Sequence, residues 1–295
     1  MPDDSSPAVL DPATRDDWYV VSHASEIQPG VVERTRLLGR DLLVTRAADG
    51  TLKAECFDPD GAPVPVERIA ERYGFIWVSL GAPRDEILRI PEFAEGGRRL
   101  IWRGRIGVAA SGQRVIENFF DLSHFSFVHT GTLGGLDAAE VPRYEVEYRE
   151  EGKELWAVGC SFFQPKASAS AAGGASVHYD YRVPSPFICV LYKDSLVRPG
   201  MKDLIGLFIQ PCEEERCVVH SFALVFDDHR SDTDILHFYH EIFMQDRMIL
   251  IQQRPLRIPV HPQRERHVVS DASAVAFRRW IARRGFRFGV DDAAA

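Results

Sequence analysis

The sequence predicts an α+β protein in which a small antiparallel β module precedes a larger sheet that grips a long helix. Runs of β-forming residues separated by turn signals fill residues 18–82, which is typical of hairpins. Four further runs between residues 143 and 228 alternate enough to be strands of one antiparallel sheet. A helical pattern then covers residues 231–253, and the combination favours an α+β arrangement.

The β module is predicted over residues 1–88. Turn signals at positions 39–40 and 49–50 divide the β-rich stretch into hairpin strands. Prolines and a glycine between positions 59 and 65 are expected to break the chain. The apolar run RYGFIWVSLG then predicts a last strand that ends at Gly81.

The second unit is predicted over residues 89–295. The long helix is expected to be capped by Ser231 or Asp232 and stopped by Pro255. The other predicted elements are a strand at 100–110, a helix that becomes irregular within 113–129, strands at 143–164, 176–198, 203–213 and 216–228, and a helix at 271–284.

Composition and charge exclude several classes of protein. The formal net charge of -8 argues against an electrostatic nucleic-acid surface. No apolar run approaches the roughly 18–20 residues that cross a bilayer, and the acidic N-terminal segment has no signal-peptide pattern. Five cysteines without a C-x-x-C pair predict a reduced, cytoplasmic protein, in which Cys212 and Cys217 are buried thiols at strand ends.

The segment ENFFDLSHFSFVH, residues 117–129, carries the candidate chemistry. His124 and His129 are five residues apart, so a regular helix would place them about 140° apart around its axis. Both rings can meet one ion only if the helix ends or distorts between them. Ser126 and Val128, followed by a Thr-Gly-Thr run, make such an ending plausible.

Two imidazoles and one carboxylate on one face of an ion leave positions for O₂ and substrate, the pattern of non-haem iron(II) sites. Asp246 is the best candidate for the carboxylate, because it interrupts an apolar stripe of the long helix and needs a partner there. His237, His240 and Glu241 on the same helix are rival ligands by type.

With this motif the sequence resembles the catalytic domain of Rieske-type non-haem iron oxygenases. ENFFDLSHFSFVHTGTLG is similar to the iron motif of that family, N-x-x-D-x-x-H followed closely by a second His. The resemblance implies that His124 and His129 are iron ligands and that Asp246 is the third. It also implies that Asp121 links the iron site to an electron donor across a subunit boundary, and that Asn118 lies near the metal.

One departure from the family pattern concerns the first domain, where the family holds a [2Fe–2S] cluster with two Cys and two His. Only Cys56 lies in the corresponding window, and no His follows it two or three residues later. Residues 1–88 are therefore interpreted as a truncated Rieske-like remnant without a cluster. This organisation is similar to a cluster-less demethylase branch of the family, found in bacterial methylxanthine breakdown, whose electrons come from a partner.

The resemblance implies a monooxygenase that uses iron(II) and O₂ to oxidise an N- or O-methyl group of a small aromatic or heteroaromatic substrate, with release of formaldehyde. It implies a reductase or Rieske-bearing partner and a homotrimer or a mixed hetero-oligomer. Two alternatives remain open from the sequence, a non-redox metal-dependent hydrolase or lyase and a non-catalytic partner subunit. Candidate pocket walls are aromatic: Phe119, Phe125, Phe127, Phe208 and Phe243.

Overall fold

A computed structural model describes residues 10–58, 60–171, 173–227, 229–261 and 263–292. The prediction that the acidic N-terminal segment is not a signal peptide depends partly on residues 1–9, which lie outside these ranges. Among the described residues, no helix combines the length and the apolar character needed to cross a membrane.

The β module contains two antiparallel sheets, and the predicted hairpins are present. A short helix, α1 (Pro12–Arg15), precedes them. The strands are β1 (Tyr19–His23), β2 (Val32–Leu37), β3 (Arg40–Arg46), β4 (Leu52–Phe57), β5 (Pro63–Val66), β6 (Arg68–Arg72) and β7 (Phe75–Ser79). One sheet has the order β2-β3-β4-β5 and the other has the order β1-β7-β6.

The prediction that the prolines break the chain at this point was wrong for residues 63–66, which form β5. Pro63 and Pro65 alternate with two valines, and β5 lies at the edge of its sheet, where it pairs with β4. An edge strand uses alternate residues for its ladder, so every second position tolerates a missing N–H. Pro59 itself is outside the described residues.

The second unit is built on a seven-stranded antiparallel sheet, as the alternating runs predict. Its strands are β8 (Arg99–Val108), β9 (Glu145–Arg149), β10 (Glu154–Gln164), β11 (Ala175–Ser185), β12 (Ile188–Asp194), β13 (Lys202–Glu213) and β14 (Arg216–Val225). The strand order is β8-β14-β13-β12-β11-β10-β9. Hairpins divide two of the predicted runs, so residues 143–164 form β9 and β10, and residues 176–198 contain β11 and β12.

Both faces of the central strands are covered, which explains the nearly continuous apolar run LIGLFI in β13. On one face, Leu204 and Phe208 join a cluster with Phe75 and Trp77 of the β module. On the other face, Ile205 and its alternate neighbours pack toward the helices. The β module therefore lies against the back of the large sheet and leaves the helical face to carry the site.

The helices cover this second face. They are α2 (Gly112–Phe119), α3 (Phe125–Val128), α4 (Asp232–Leu250) and α5 (Ala272–Arg284). After α4 in the chain, the short strand β15 (Ile258–Pro259) pairs in parallel with the last strand, β16 (Val290–Asp291). Ser231 caps α4, since its hydroxyl accepts from Asp234 N at 3.1 Å while the Asp234 carboxylate reaches back to Ser231 N at 3.3 Å. The helix ends at Leu250, five residues before Pro255.

Candidate metal centre

The two motif histidines are brought together by a break in the helix that carries them. The backbone leaves α2 at Phe120, earlier than the ending expected near Ser126 and Val128, and α3 then forms a single turn. His124 is the N-cap residue of α3 and His129 is its C-cap residue. Because they flank one short turn at its two ends, their rings converge on one side even though five residues separate them.

Three side-chain atoms form a small triangle at this point. His124 Nε2 lies 3.2 Å from His129 Nε2, and Asp246 Oδ1 lies 3.3 Å from the first nitrogen and 3.0 Å from the second. The three side chains are 10%, 1% and 11% exposed, respectively. They are the one group of three or more potential metal ligands with converging atoms found in the described ranges.

The triangle fits a metal ion. Two ligand atoms at about 2.1 Å from an ion, with bonds at right angles, lie about 3.0 Å apart, close to the edges observed here. Asp246 Oδ1 is buried with no hydrogen bond beyond its contacts with these two ring nitrogens, and a buried carboxylate oxygen is costly unless it is paired. Burial raises the pKa of Asp246, but the two imidazoles outweigh burial and hold it below its ordinary value.

Asp121 holds the outer nitrogen of His124. Its Oδ2 lies 3.2 Å from His124 Nδ1, while its Oδ1 accepts from Ser123 N at 2.8 Å. Burial lowers the pKa of His124, yet its bonds to Asp121 and Asp246 outweigh burial and raise that pKa to about 9. Two carboxylates thus favour positive charge at this ring, and a bound cation would supply it in place of the proton.

Gln245 performs the same task for His129, since its Oε1 lies 2.7 Å from His129 Nδ1. An amide oxygen only accepts, so Nδ1 carries the hydrogen and Nε2 presents its lone pair to the triangle. The sequence interpretation missed this residue. The signal was available, because Gln245 directly precedes the candidate ligand Asp246 in the sequence.

The other residues named from the sequence divide into two groups. Asn118 is buried on the last turn of α2 and is not among the described residues that line the cavity at the triangle. The rival ligands lie elsewhere, since His240 Nε2 contacts Arg103 O at 2.5 Å, and His237 and Glu241 are exposed. These three failed as candidates because they occupy other faces of α4.

A buried ion-pair network fixes α2 from behind. Arg278 of α5 donates to Glu117 through Nε at 2.6 Å and through Nη2 at 2.9 Å, and it also donates to Glu265. Arg114 joins the same two carboxylates. Since Glu117 begins the iron motif, this network ties the motif to α5 and to the segment after α4.

A cavity of about 620 Å³, including its open mouth, lies beside the triangle. Its walls are mostly apolar and aromatic, and they include three of the five predicted aromatic residues, Phe119, Phe125 and Phe243. The other two predictions were wrong. Phe127 is 66% exposed because it lies on the outer side of α3, and Phe208 packs against the β module on the back of the sheet.

This fold and this centre define a class of protein. Residues 108–285, more than half of the chain, match the family model described as vanillate O-demethylase oxygenase C-terminal domain. The chain belongs to the Rieske-type non-haem iron oxygenases, and it is an oxygenase of the demethylase and monooxygenase type.

Within this class the chain is 42% identical over 275 residues to the probable methylxanthine N7-demethylase NdmC of Pseudomonas sp. (strain TJI-51), covering 93% of this chain and 96% of the relative. It is 27% identical to the methylxanthine N1-demethylase NdmA of Pseudomonas putida over 76% of this chain, which spans 62% of that relative. The fold matches the structure of Pseudomonas putida CBB5 NdmA with caffeine, with a TM-score of 0.75, 18% identity, and coverage of 92% and 90% of the two chains.

Proposed function

We propose that this chain is the oxygenase component of an oxidative demethylase. Its substrate is a small heteroaromatic or aromatic compound that carries an N- or O-methyl group. The observation that carries the proposal is the convergence of His124, His129 and Asp246 within 3.3 Å of one another at the wall of a cavity lined mainly by apolar and aromatic side chains. The 42% identity to a probable methylxanthine N7-demethylase supports an N-methyl substrate.

These three residues would hold a mononuclear iron(II). When bound, the iron supplies the activation of O₂ that oxidation of a methyl C–H bond requires. In the overall reaction the methyl group becomes a hydroxymethyl group, which collapses to formaldehyde and the demethylated N–H or O–H. One O₂, two electrons and two protons are consumed, and the second oxygen atom leaves as water.

The protein's own residues would orient the metal ligands and exclude water from the site. Gln245 fixes the tautomer of His129, and Asp121 orients His124 at 3.2 Å. Asp121 is more exposed than the three candidate ligands, with 28% of its side chain accessible against 10%, 1% and 11%, which suits a position between the centre and an external electron donor. Asn118 is buried, and its backbone carbonyl accepts from Asp121 N at 3.2 Å. It would therefore support the backbone that carries Asp121 and His124. The aromatic cavity wall would hold the substrate and exclude water.

Electrons are proposed to come from a separate protein. Residues 1–88 contain one cysteine, Cys56, and one histidine, His23, whereas a Rieske cluster takes two of each. These residues are proposed to form a cluster-less Rieske-like domain, and residues 89–295 the catalytic domain. A reductase or a Rieske-bearing protein would then reduce the iron. The chain itself is proposed to form a homotrimer or a mixed hetero-oligomer, and analytical ultracentrifugation would measure its size.

The five cysteines are free and buried, which supports a reducing, cytoplasmic location.

The test is a turnover assay of the iron(II)-loaded chain with a surrogate reductase and N7-methylxanthine or a methoxyarene. We expect formaldehyde release that requires both O₂ and reductant. Product formation under strict anaerobiosis without reductant would instead indicate a hydrolase or lyase. In a complex with a complete oxygenase, unchanged activity of the His124→Ala variant would indicate a non-catalytic subunit.

A further inference from the structure

The cavity beside the metal centre carries an unbalanced positive charge. Arg103 and Lys193 both line it, and the two residues are only 4% and 7% exposed to solvent. Asp246 is the one acidic residue among its lining residues in the described part of the chain, and that carboxylate faces the two imidazoles. Asp203 attracts Lys193 from a neighbouring cavity but does not line this one. Buried charges are normally paired, so the two cations face this cavity with no carboxylate beyond the one at the metal centre.

Unpaired hydrogen-bond donors accompany the two cations. The hydroxyl groups of Tyr179 and Tyr181 are buried without partners, as are Nε and Nη1 of Arg103. All of these residues line the cavity. Because each orphaned buried donor is costly, the arrangement is that of a site whose acceptor arrives with the ligand.

Lys193 has a structural role that uses only part of its ammonium group. Its Nζ donates to Ala167 O and lies 3.2 Å from Gln164 Oε1, which ties the loop after β10 to β12. An ammonium has three donors, so one is not used by these two acceptors, and Lys193 lines both this cavity and a smaller neighbouring one. The Nζ also lies 6.0 Å from the centre of the Tyr179 ring, which brings the two residues into one region of the wall.

We propose that this wall selects a substrate bearing an ionised oxygen, a carboxylate or an ionised ring oxo group, and that Lys193 and Tyr179 bind that oxygen, with Arg103 adding a second positive charge. This inference rests on the proposed function and deepens it. The substrate class becomes a methylated aromatic or heteroaromatic anion. The three residues determine specificity, and none of them is a metal ligand.

The test measures ligand binding, which requires no electron donor. Iron(II)-loaded protein is titrated calorimetrically under anaerobic conditions with two pairs of ligands of similar shape. One pair is meta-methoxybenzoate and its neutral amide, and the other is N7-methylurate and N7-methylxanthine. We expect the anion of at least one pair to bind about tenfold or more tightly than its neutral partner, as expected for a charge-assisted hydrogen bond to a desolvated group.

The variants separate recognition from packing. Lys193→Met keeps the length of the side chain and should lower the affinity for the anion by a much larger factor than the affinity for its neutral partner, so that most of the preference is lost. Tyr179→Phe removes only the unpaired hydroxyl and should lower anion affinity several-fold without lowering the melting temperature. Lys53→Met, at an exposed position of β4, is the matched control and should change neither ligand's affinity.

Three outcomes would overturn the inference. The first is no preference for the anion in either pair, including no binding at all. The second is a preference that survives both Lys193→Met and Tyr179→Phe, which would assign the anion to the metal instead. The third is an equal loss of both ligands of a pair in folded Tyr179→Phe. Formaldehyde release is a separate readout, so failure of the demethylase assay with intact anion selectivity would refute the proposed function and leave this site standing.

Discussion

Replacement of Gln245 by Ala isolates the contribution of a single hydrogen bond to metal binding. In the wild-type protein, Gln245 Oε1 lies 2.7 Å from His129 Nδ1 and so leaves the Nε2 lone pair of His129 directed at the other two candidate ligands. Loss of such an outer partner typically costs about 10–100-fold in metal affinity, or about 1.4–2.7 kcal/mol. His129 is 1% exposed, so bulk water has little access to replace the lost acceptor. We therefore expect the upper half of that range.

The measurement is an anaerobic iron(II) titration against a competing chelator. Gln245→Glu keeps an oxygen acceptor at the same place and is expected to bind iron(II) within about threefold of the wild type, because the tautomer of His129 is still fixed. Gln252→Ala is the matched control on the segment after α4, since the Gln252 amide donates to Met248 O in an exposed position. An affinity of Gln245→Ala within twofold of the wild type would refute the assigned role.

Three further predictions concern the same centre and its support. The pKa of His124, raised from 6.5 to about 9, implies that its protonated ring stabilises the metal-free protein fully below pH 6.5, and that this stability is lost as pH rises through 9. Thermal melting of the metal-free protein should show that decline, and metal affinity should rise over the same window; a flat profile would contradict the assignment. A Cβ at Gly134 would lie 2.7 Å from the backbone of α3, so Gly134→Ala should destabilise the protein by about 1–3 kcal/mol and weaken metal binding. Gly107→Ala, where a Cβ meets nothing within 4 Å, is the control, and equal denaturation midpoints would disprove the close contact. Arg278→Leu leaves the buried Glu117 and the partly buried Glu265 short of a partner and should cost about 3–5 kcal/mol in chemical denaturation. The exposed neighbour Arg279→Leu should cost little, and similar losses in the two variants would argue against the network.

Local patterns determined much of the fold. The hairpin turns of the β module, the run of antiparallel strands and the capped helix α4 follow from signals carried within a few residues. The prolines of β5 misled the prediction because their effect depends on whether the strand lies at a sheet edge, and the pairing that decides this is not local.

The sequence by itself also identified the chemistry, since two histidines and a carboxylate in this motif indicate a non-haem iron site. Only the tertiary structure showed that Asp246 lies within 3.3 Å of both rings, because α4 is more than a hundred residues away along the chain. The same holds for Gln245, and for the charged wall formed by Arg103 and Lys193 on separate strands. Residue type sets what a side chain can do, but packing across the sheet decides which side chains meet and which remain buried without a partner.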